Sequence, residues 1–337
     1  MIAHQKTRTR HTARVLTALF AAVLLALTAC SSTGGKPRST GDGMAAGQAD
    51  TPRFTIAMVT HGPPGDTFWD LIRKGAETAA AKDNIELKYS AELEAPNQAN
   101  LVQNAIDSDV DALAVTLAKP EALASGVKSA VAAGIPAVAF NAGIDAWQAM
   151  GVKAYFGQDE KISGEAAGKR LASDGAKKVL CVIQDQGNVA LESRCAGVRS
   201  GFNGAVENLN VNGTDMPSVQ STITAKLQQD PSIDYIVTLG APIAMTAVQS
   251  AGTAGSEARI GTFDTNAELV DAIKSGDVQW AVDQQPFLQG YLAVDSLWLY
   301  LNNRNTIGGG QPVLTGPAFI DKTNIDAIAE YAKNGTR

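Results

Sequence analysis

The chain has 337 residues, 45% hydrophobic, 18% charged and 6% aromatic. That composition leaves room for two core-forming domains of about 100–200 residues each and excludes collagenous, low-complexity and multi-span membrane classes. The formal charge is −6, but residues 1–29 carry Lys6, Arg8, Arg10 and Arg14 and no acid; removing those four leaves −10 on the remainder, which argues against nucleic acid as a partner.

Residues 1–14 are basic, and Val15–Ala26 is a continuous apolar run followed by small residues. This is the pattern of a secretory signal over 1–29, and the run falls short of the roughly 18–20 apolar residues of a spanning helix. Leu27-Thr28-Ala29-Cys30 resembles a bacterial lipobox, whose cysteine is acylated and becomes the mature N-terminus. The competing reading is an ordinary signal with a cysteine there by chance. Several acyl chains on Cys30 would hold the protein to a membrane stably. The expectation is an exported protein, anchored to the outer face of the cytoplasmic membrane or, in a Gram-negative cell, facing the periplasm. Residues 30–52, rich in Gly, Ser and Thr, read as a flexible tether with a reach of roughly 25 Å.

From Phe54 onward strand and helix alternate. FTIAMVT (54–60), IELKYS (85–90), ALAVTL (112–117) and PAVAFN (136–141) read as strands, separated by helical stretches 68–83, 97–107 and 120–133. KVLCVI (178–183), YIVTLG (235–240), RIGTFD (259–264) and VQWAVDQ (278–284) repeat the scheme, with helices over 190–207, 225–230, 243–251, 267–274 and 287–302. VQSTIT (219–224) is too short to classify. Continuous apolar runs indicate strands covered on both faces, hence parallel sheets wrapped by helices. Two such arrays predict an α/β fold of two doubly wound lobes; one eight-stranded barrel is the structural competitor. Open sheets bind ligands beyond the carboxyl ends of their strands, so the polar residues there are the candidates. Cys181 and Cys195 can pair in an oxidising compartment, two independently buried thiols being the alternative.

The body contains Asp66-Thr67-Phe68-Trp69, Gly134-Ile135-Pro136 before Asn141, Gly157-Gln158-Asp159, Arg194 three residues before Gly197, Phe263-Asp264 and Asp283-Gln284-Gln285-Pro286. In that order the pieces resemble the type I periplasmic solute-binding proteins of sugar ABC transporters, the group that includes ribose-binding protein, over about residues 53–325. The resemblance implies two lobes joined by a multi-strand hinge, 53–156 with 286–312 and 157–285 with 313–337. It also implies capture of a monosaccharide or sugar alcohol between the lobes, delivery to a permease, action as a monomer, no cofactor and no metal. A sensor of the same fold that passes a furanosyl signal to a membrane partner is the alternative.

A sugar site needs bidentate polar groups around the ring's hydroxyls and an aromatic plate against its C–H face. The resemblance places Phe68 and Trp69 as the aromatics, with helix-start packing as the competing role. Asp66 is a hydroxyl acceptor or simply an N-cap. Asn141 contacts sugar or shapes a turn. Arg194 bridges hydroxyls or sits on the surface, and Asn188 contacts ligand or is conformational. Asp264 and Gln284 terminate strands as contacts, while Asp283 faces the other way and serves the crossing. Gln158 is hinge or site, and His61 is a loop histidine or a contact. Gly240-Ala241 stands where ribose binders often have Asn-Asp, and Ala142 where an arginine often follows. Two polar contacts are therefore missing, which points to a different ring, a smaller sugar or an acyclic polyol.

An enzymatic reading has little support. The sequence contains no GxSxG, HExxH, CxxC or GxxxxGK[ST]. Of 3 histidines, His4 and His11 lie in the leader, so no histidine relay can be built around His61. Asp264 and Asp283 could serve glycoside hydrolysis only if held across a bond, and nothing in the sequence places them so.

Overall fold

The structure is a computed structural model that describes residues 48–63 and 65–337; the signal segment, Cys30 and most of the tether lie outside the described residues. The first lobe is built by β1 (Phe54–Thr60), α1 (Thr67–Lys82), β2 (Ile85–Ala91), α2 (Ala95–Asp107), β3 (Ala112–Val115), α3 (Pro120–Ala132), β4 (Ala137–Phe140) and β5 (Tyr155–Gly157). The chain then crosses into the second lobe. There it forms α4 (Glu160–Ser173), β6 (Lys178–Ile183), α5 (Val189–Gly201), β7 (Ala205–Asn210), α6 (Met216–Gln229), β8 (Tyr235–Thr238), α7 (Ala241–Ala254), β9 (Arg259–Phe263), α8 (Ala267–Ser275) and β10 (Trp280–Asp283). It returns with α9 (Pro286–Asn303) and β11 (Val313–Leu314) and ends in the second lobe with β12 (Ala318–Asp321) and α10 (Asp326–Lys333).

Two 6-stranded sheets result, in the orders β11-β5-β4-β3-β1-β2 and β12-β10-β9-β8-β6-β7. Apart from the antiparallel β12 the pairings are parallel. Each lobe thus repeats a doubly wound order with its reversal beside the first strand, the place where such sheets bind ligands. Every residue of β3, β4, β8 and β10 is buried, because helices cover both faces. In the first lobe Ile72, Ala76, Phe140 and Leu297 fill one side of the sheet and Val102, Leu113, Leu123 and Val127 the other. In the second, Leu171, Val198 and Trp280 oppose Val219, Ile223, Ile243 and Leu269. A single barrel is thereby excluded.

Four readings change. The helix expected to run to Glu207 stops at Gly201, and Ala205–Asn210 is β7; Phe202 turns extended and Gly204 lies against its ring. As an edge strand β7 buries none of its residues fully, so it lacks the apolar run that marks its neighbours. The unclassified 219–224 lies inside α6, which starts earlier, at Met216, where Asp215 accepts from Ser218 N at 3.1 Å. Its buried residues Val219, Ile223 and Leu227 recur every four positions. The short strands β5, β11 and β12 and the helix α10 went unread. Finally, Val313–Leu314 pairs with Phe156–Gly157 of the first sheet, so the third crossing follows Leu314 rather than 312.

The crossings lie side by side. Thr315 N donates to Gly157 O at 2.8 Å, and Gln285 Nε2 donates to Thr315 O at 2.7 Å. Asp283, fully buried, accepts from Gln285 N at 2.8 Å and from Arg337 Nε at 2.7 Å. It therefore belongs to the crossings and not to the cavity.

Cys181 in β6 and Cys195 in α5 form a disulfide with Cα atoms 6.0 Å apart and a sequence separation of 14. A loop of this size contributes about 3 kcal/mol in the chain-entropy model. Reductant is therefore expected to lower the melting temperature by several degrees, read by calorimetry with and without dithiothreitol. An unchanged melting temperature would show that the bond is not made in solution.

Candidate functional site

The carboxyl ends of both sheets face each other across a cavity of about 420 Å³, within the size range of small-molecule sites. The loop after β1 supplies His61 and, at the start of α1, Asp66, Phe68 and Trp69. Asp66 caps the helix, accepting from Phe68 N at 2.9 Å, so its capping and lining roles coexist; burial raises its carboxyl pKa. Phe68 and Trp69 meet edge to face at 5.3 Å, and Trp69 meets the His61 ring likewise at 4.6 Å. Trp69 is 8% exposed and also belongs to the core of its lobe.

Asn141 and Asp264 follow β4 and β9, the equivalent strands of the two lobes. They share a left-handed backbone, with φ of 64° and 66°, a conformation that Asn and Asp tolerate better than most residues. Both line the cavity, joined through Gln284 at the second crossing. Gln284 Nε2 donates to Asp264 Oδ1 at 2.7 Å, and Gln284 Oε1 accepts from Asn141 Nδ2 at 3.3 Å. Gln289 of α9, which sequence reasoning missed, steadies this chain: its Nε2 donates to Gln284 Oε1 at 3.0 Å. It lies three residues beyond the Asp283-Gln284-Gln285-Pro286 piece, and that proximity was the available signal.

Arg194 reaches the cavity from α5 and is 3% exposed. Nε and Nη2 both donate to Glu160, the latter at 3.0 Å to Oε1, and Nη1 donates to Leu239 O at 3.2 Å. Three of the guanidinium's five N–H groups are thus engaged among the described residues. Burial works against the guanidinium's charge, but the Glu160 carboxylate outweighs it and holds Arg194 above its ordinary pKa. Helices α4 and α5 approach backbone to backbone here: a Cβ on Gly164 would stand 2.2 Å from Arg194 O, and one on Gly197 2.4 Å from Lys161 O. That contact explains the glycine three residues after the arginine.

Gln158 is not in the cavity wall. Fully buried, it donates from Nε2 to Glu160 Oε2 at 2.8 Å and accepts from Ser163 Oγ at 2.9 Å, so it holds Glu160 rather than ligand. His61, in contrast, is buried and lines the cavity. Asn188 fixes its tautomer: Asn188 Oδ1 accepts from Ala190 N at 3.1 Å and Nδ2 donates to Asp185 Oδ2 at 3.1 Å. The amide therefore presents Nδ2 to His61 Nε2 at 3.2 Å, which makes Nε2 the acceptor and puts the proton on Nδ1, 2.7 Å from Thr116 Oγ1. Burial, with Lys119 and Arg194 nearby, lowers the His61 pKa to about 3, so the ring stays neutral.

This His61–Asn188 pair joins the two lobes. So do Val189 N donating to Ala118 O at 3.0 Å, Lys119 paired with Asp185 at 3.1 Å, and Asn266 Nδ2 donating to Thr67 Oγ1 at 3.4 Å. The lobes thus touch on both flanks of the cavity. Asp264 is raised to about 7 by burial, against the opposing pull of Arg194 and the Gln284 hydrogen bond. Thr265 Oγ1 and Gln184 Oε1, both on residues that line the cavity, are buried without a hydrogen-bond partner, which costs free energy. Among the described residues no cluster of three or more His, Cys, Asp or Glu is placed to hold a metal.

The periplasmic binding protein domain matches residues 56–305. The chain belongs to the periplasmic binding protein family. This periplasmic binding protein is 58% identical to a carbohydrate transporter from Acidothermus cellulolyticus 11B solved in complex with myo-inositol, with a TM-score of 0.84 over 85% of this chain and 100% of that one. The ribose import binding protein of Bacillus subtilis strain 168 is 24% identical over 281 residues, 81% of this chain and 88% of that protein. The xylose/arabinose-binding protein of Sulfolobus acidocaldarius is 25% identical over 244 residues, 67% of this chain; the alignment spans 60% of that relative's length. The family consists of solute-binding proteins rather than enzymes.

Proposed function

We propose that this sugar-binding protein of the ABC-transporter type captures a cyclic polyol of the myo-inositol class between its lobes and presents it to a membrane permease. The observation that carries the reading is the convergence of Asn141, Arg194, Asp264 and Gln284 from both lobes and their crossing on one cavity walled by Phe68 and Trp69. Each of these polar groups can serve two neighbouring hydroxyls, and a ring with a hydroxyl on every carbon uses them all. The myo-inositol complex of the 58% identical neighbour supports this choice. Gly240-Ala241 and Ala142 fit it too, since a site so changed need not favour ribose. Contacts from both lobes stabilise the closed arrangement, which the permease reads as a shift in population. Acylation of Cys30 would keep the monomeric protein beside that permease.

A thermal-shift screen of the purified protein against inositols, pentoses, hexoses and pentitols, followed by titration calorimetry, tests the reading. A ligand at 100 times its Kd adds about 2.7 kcal/mol, enough for a clear shift. The expected result is that myo-inositol or a stereoisomer binds most tightly. Tightest binding of ribose, or a flat response to every cyclitol with the protein folded, would defeat it.

A further inference from the structure

The two flanks of the cavity are joined by different chemistry. Between α1 and α8 the lobe-to-lobe hydrogen bond is long, Asn266 Nδ2 to Thr67 Oγ1 at 3.4 Å, and lies between exposed groups. Between α3 and α5 several kinds of contact coincide. Val189 N donates to Ala118 O at 3.0 Å, Ala190 of the second lobe packs with Ala118 and Ala142 of the first, and Lys119 Nζ pairs with Asp185 Oδ1 at 3.1 Å. The other oxygen of Asp185 accepts from Asn188 Nδ2 at 3.1 Å and so aims that amide at His61. Lys119 stands at the N-cap of α3 with no capping bond of its own, which leaves its side chain to reach across. That side chain is 28% exposed and that of Asp185 18%. The pair is thus neither fully solvated, where it would be worth little, nor fully buried, where desolvation would cancel the gain.

This flank stands away from the pivot. β3 is two strands from β5 in the first sheet, and β6 is three from β10 in the second, while the chain crosses between lobes after β5, β10 and β11. Opening about the crossings therefore parts Lys119 from Asp185. Both partners belong to the chain, so their attraction favours the closed arrangement whether or not a ligand is bound. Apparent affinity scales with the fraction of protein in the binding-competent state, and the pair raises that fraction. Asp185 lines the cavity, but each of its two oxygens holds a protein partner, and Lys119 lies outside the cavity wall.

We propose that the Lys119–Asp185 pair is a latch that sets ligand affinity from outside the ligand's own contacts, so that an uncharged sugar or polyol binds more weakly as salt is raised. The inference rests on capture between the lobes, and not on which ring is captured. Titration calorimetry with myo-inositol at about pH 8, where Asp264 is ionised, tests it on native protein and on Lys119→Met, Lys119→Arg and Asp185→Asn. Lys119→Met is expected to weaken binding about three- to tenfold, and Lys119→Arg to keep it. Joining Lys119→Met to Asp185→Asn should cost no more than the first change alone, because the two residues act as one pair. Raising NaCl from about 0.05 M to about 1 M, which shortens the screening length to roughly 3 Å, should weaken binding by native protein and leave Lys119→Met unaffected. A Lys119→Met protein that binds as the parent does, or a salt response that survives in it, overturns the latch. If native protein does not bind myo-inositol, the polyol reading fails and the latch is judged without ligand. Small-angle scattering of the ligand-free proteins should then give a larger radius of gyration for Lys119→Met than for native protein, and equal radii overturn the proposal. Should Lys119→Met not fold, Asp185→Asn, which keeps an acceptor for Asn188, takes its place in both measurements.

Discussion

Glu160→Ala is expected to lower the unfolding free energy by about 3–5 kcal/mol and to abolish ligand binding in the same step. Glu160 is 2% exposed and Arg194 3%, and the carboxylate takes two of the guanidinium's donors. Burial alone raises the Glu160 pKa, and Arg194 offsets part of that rise. Each charge is tolerated inside because of the other, and removing one leaves its partner buried and uncompensated. The close α4–α5 contact at Gly164 and Gly197 gives Arg194 little room to move away. With Glu160 gone, Asp264, whose charge already acts on the guanidinium, is left as a carboxylate partner, and pairing there would occupy two groups that line the cavity. Glu160→Gln keeps the shape and one acceptor, so it should fold better and still lose affinity by roughly tenfold or more, since a hydrogen bond to a charged group is worth about 1.5–3 kcal/mol. Urea unfolding and calorimetric titration of both variants check the pair of effects. A Glu160→Ala protein as stable as the parent would mean that Arg194 is held by other means.

Glu160 also shows where reading from sequence stops. In the run that begins α4 it looks like an ordinary first-turn acid, favoured there by the helix dipole. Only the crossing of α4 and α5 turns it inward. Gln158 stayed open between hinge and site for another reason: β5 has three residues, too few for alternation to show which side the next residue faces. The strands covered on both faces were legible because such burial writes a continuous apolar run. β7 was not, because an edge strand with one partner needs no such run. Asn141 and Asp264 could be picked out because a strand's end is fixed once the strand is found. Their matching left-handed backbones, and the glutamine chain that links them, depend on how two distant halves meet. His61 stayed open between loop histidine and contact because its ring's partners, Thr116 and Asn188, lie 55 and 127 residues away.

Asp264 should make folding and binding respond to pH in opposite directions. Burial raises its carboxyl from the ordinary 3.8 to about 7, so the folded ligand-free protein binds this proton more tightly than the unfolded chain does. Stability from this group is then fully present below pH 3.8 and lost as pH rises through about 7. Ligand hydroxyls donate to the ionised carboxylate and favour it, so binding below pH 7 must expel the proton. Affinity is therefore expected to fall as pH drops from about 7 to 5, by at most about tenfold per unit, while the unliganded protein grows more stable over the same interval. Calorimetry in two buffers of different ionisation enthalpy should register proton release approaching one per ligand at pH 6, and Asp264→Asn should remove it. His61 cannot mimic this behaviour, because its pKa of about 3 leaves it neutral throughout. Asp66, also raised by burial, is the competing source, and proton release that survives Asp264→Asn but disappears in Asp66→Asn would move the linkage to the helix cap beside Phe68.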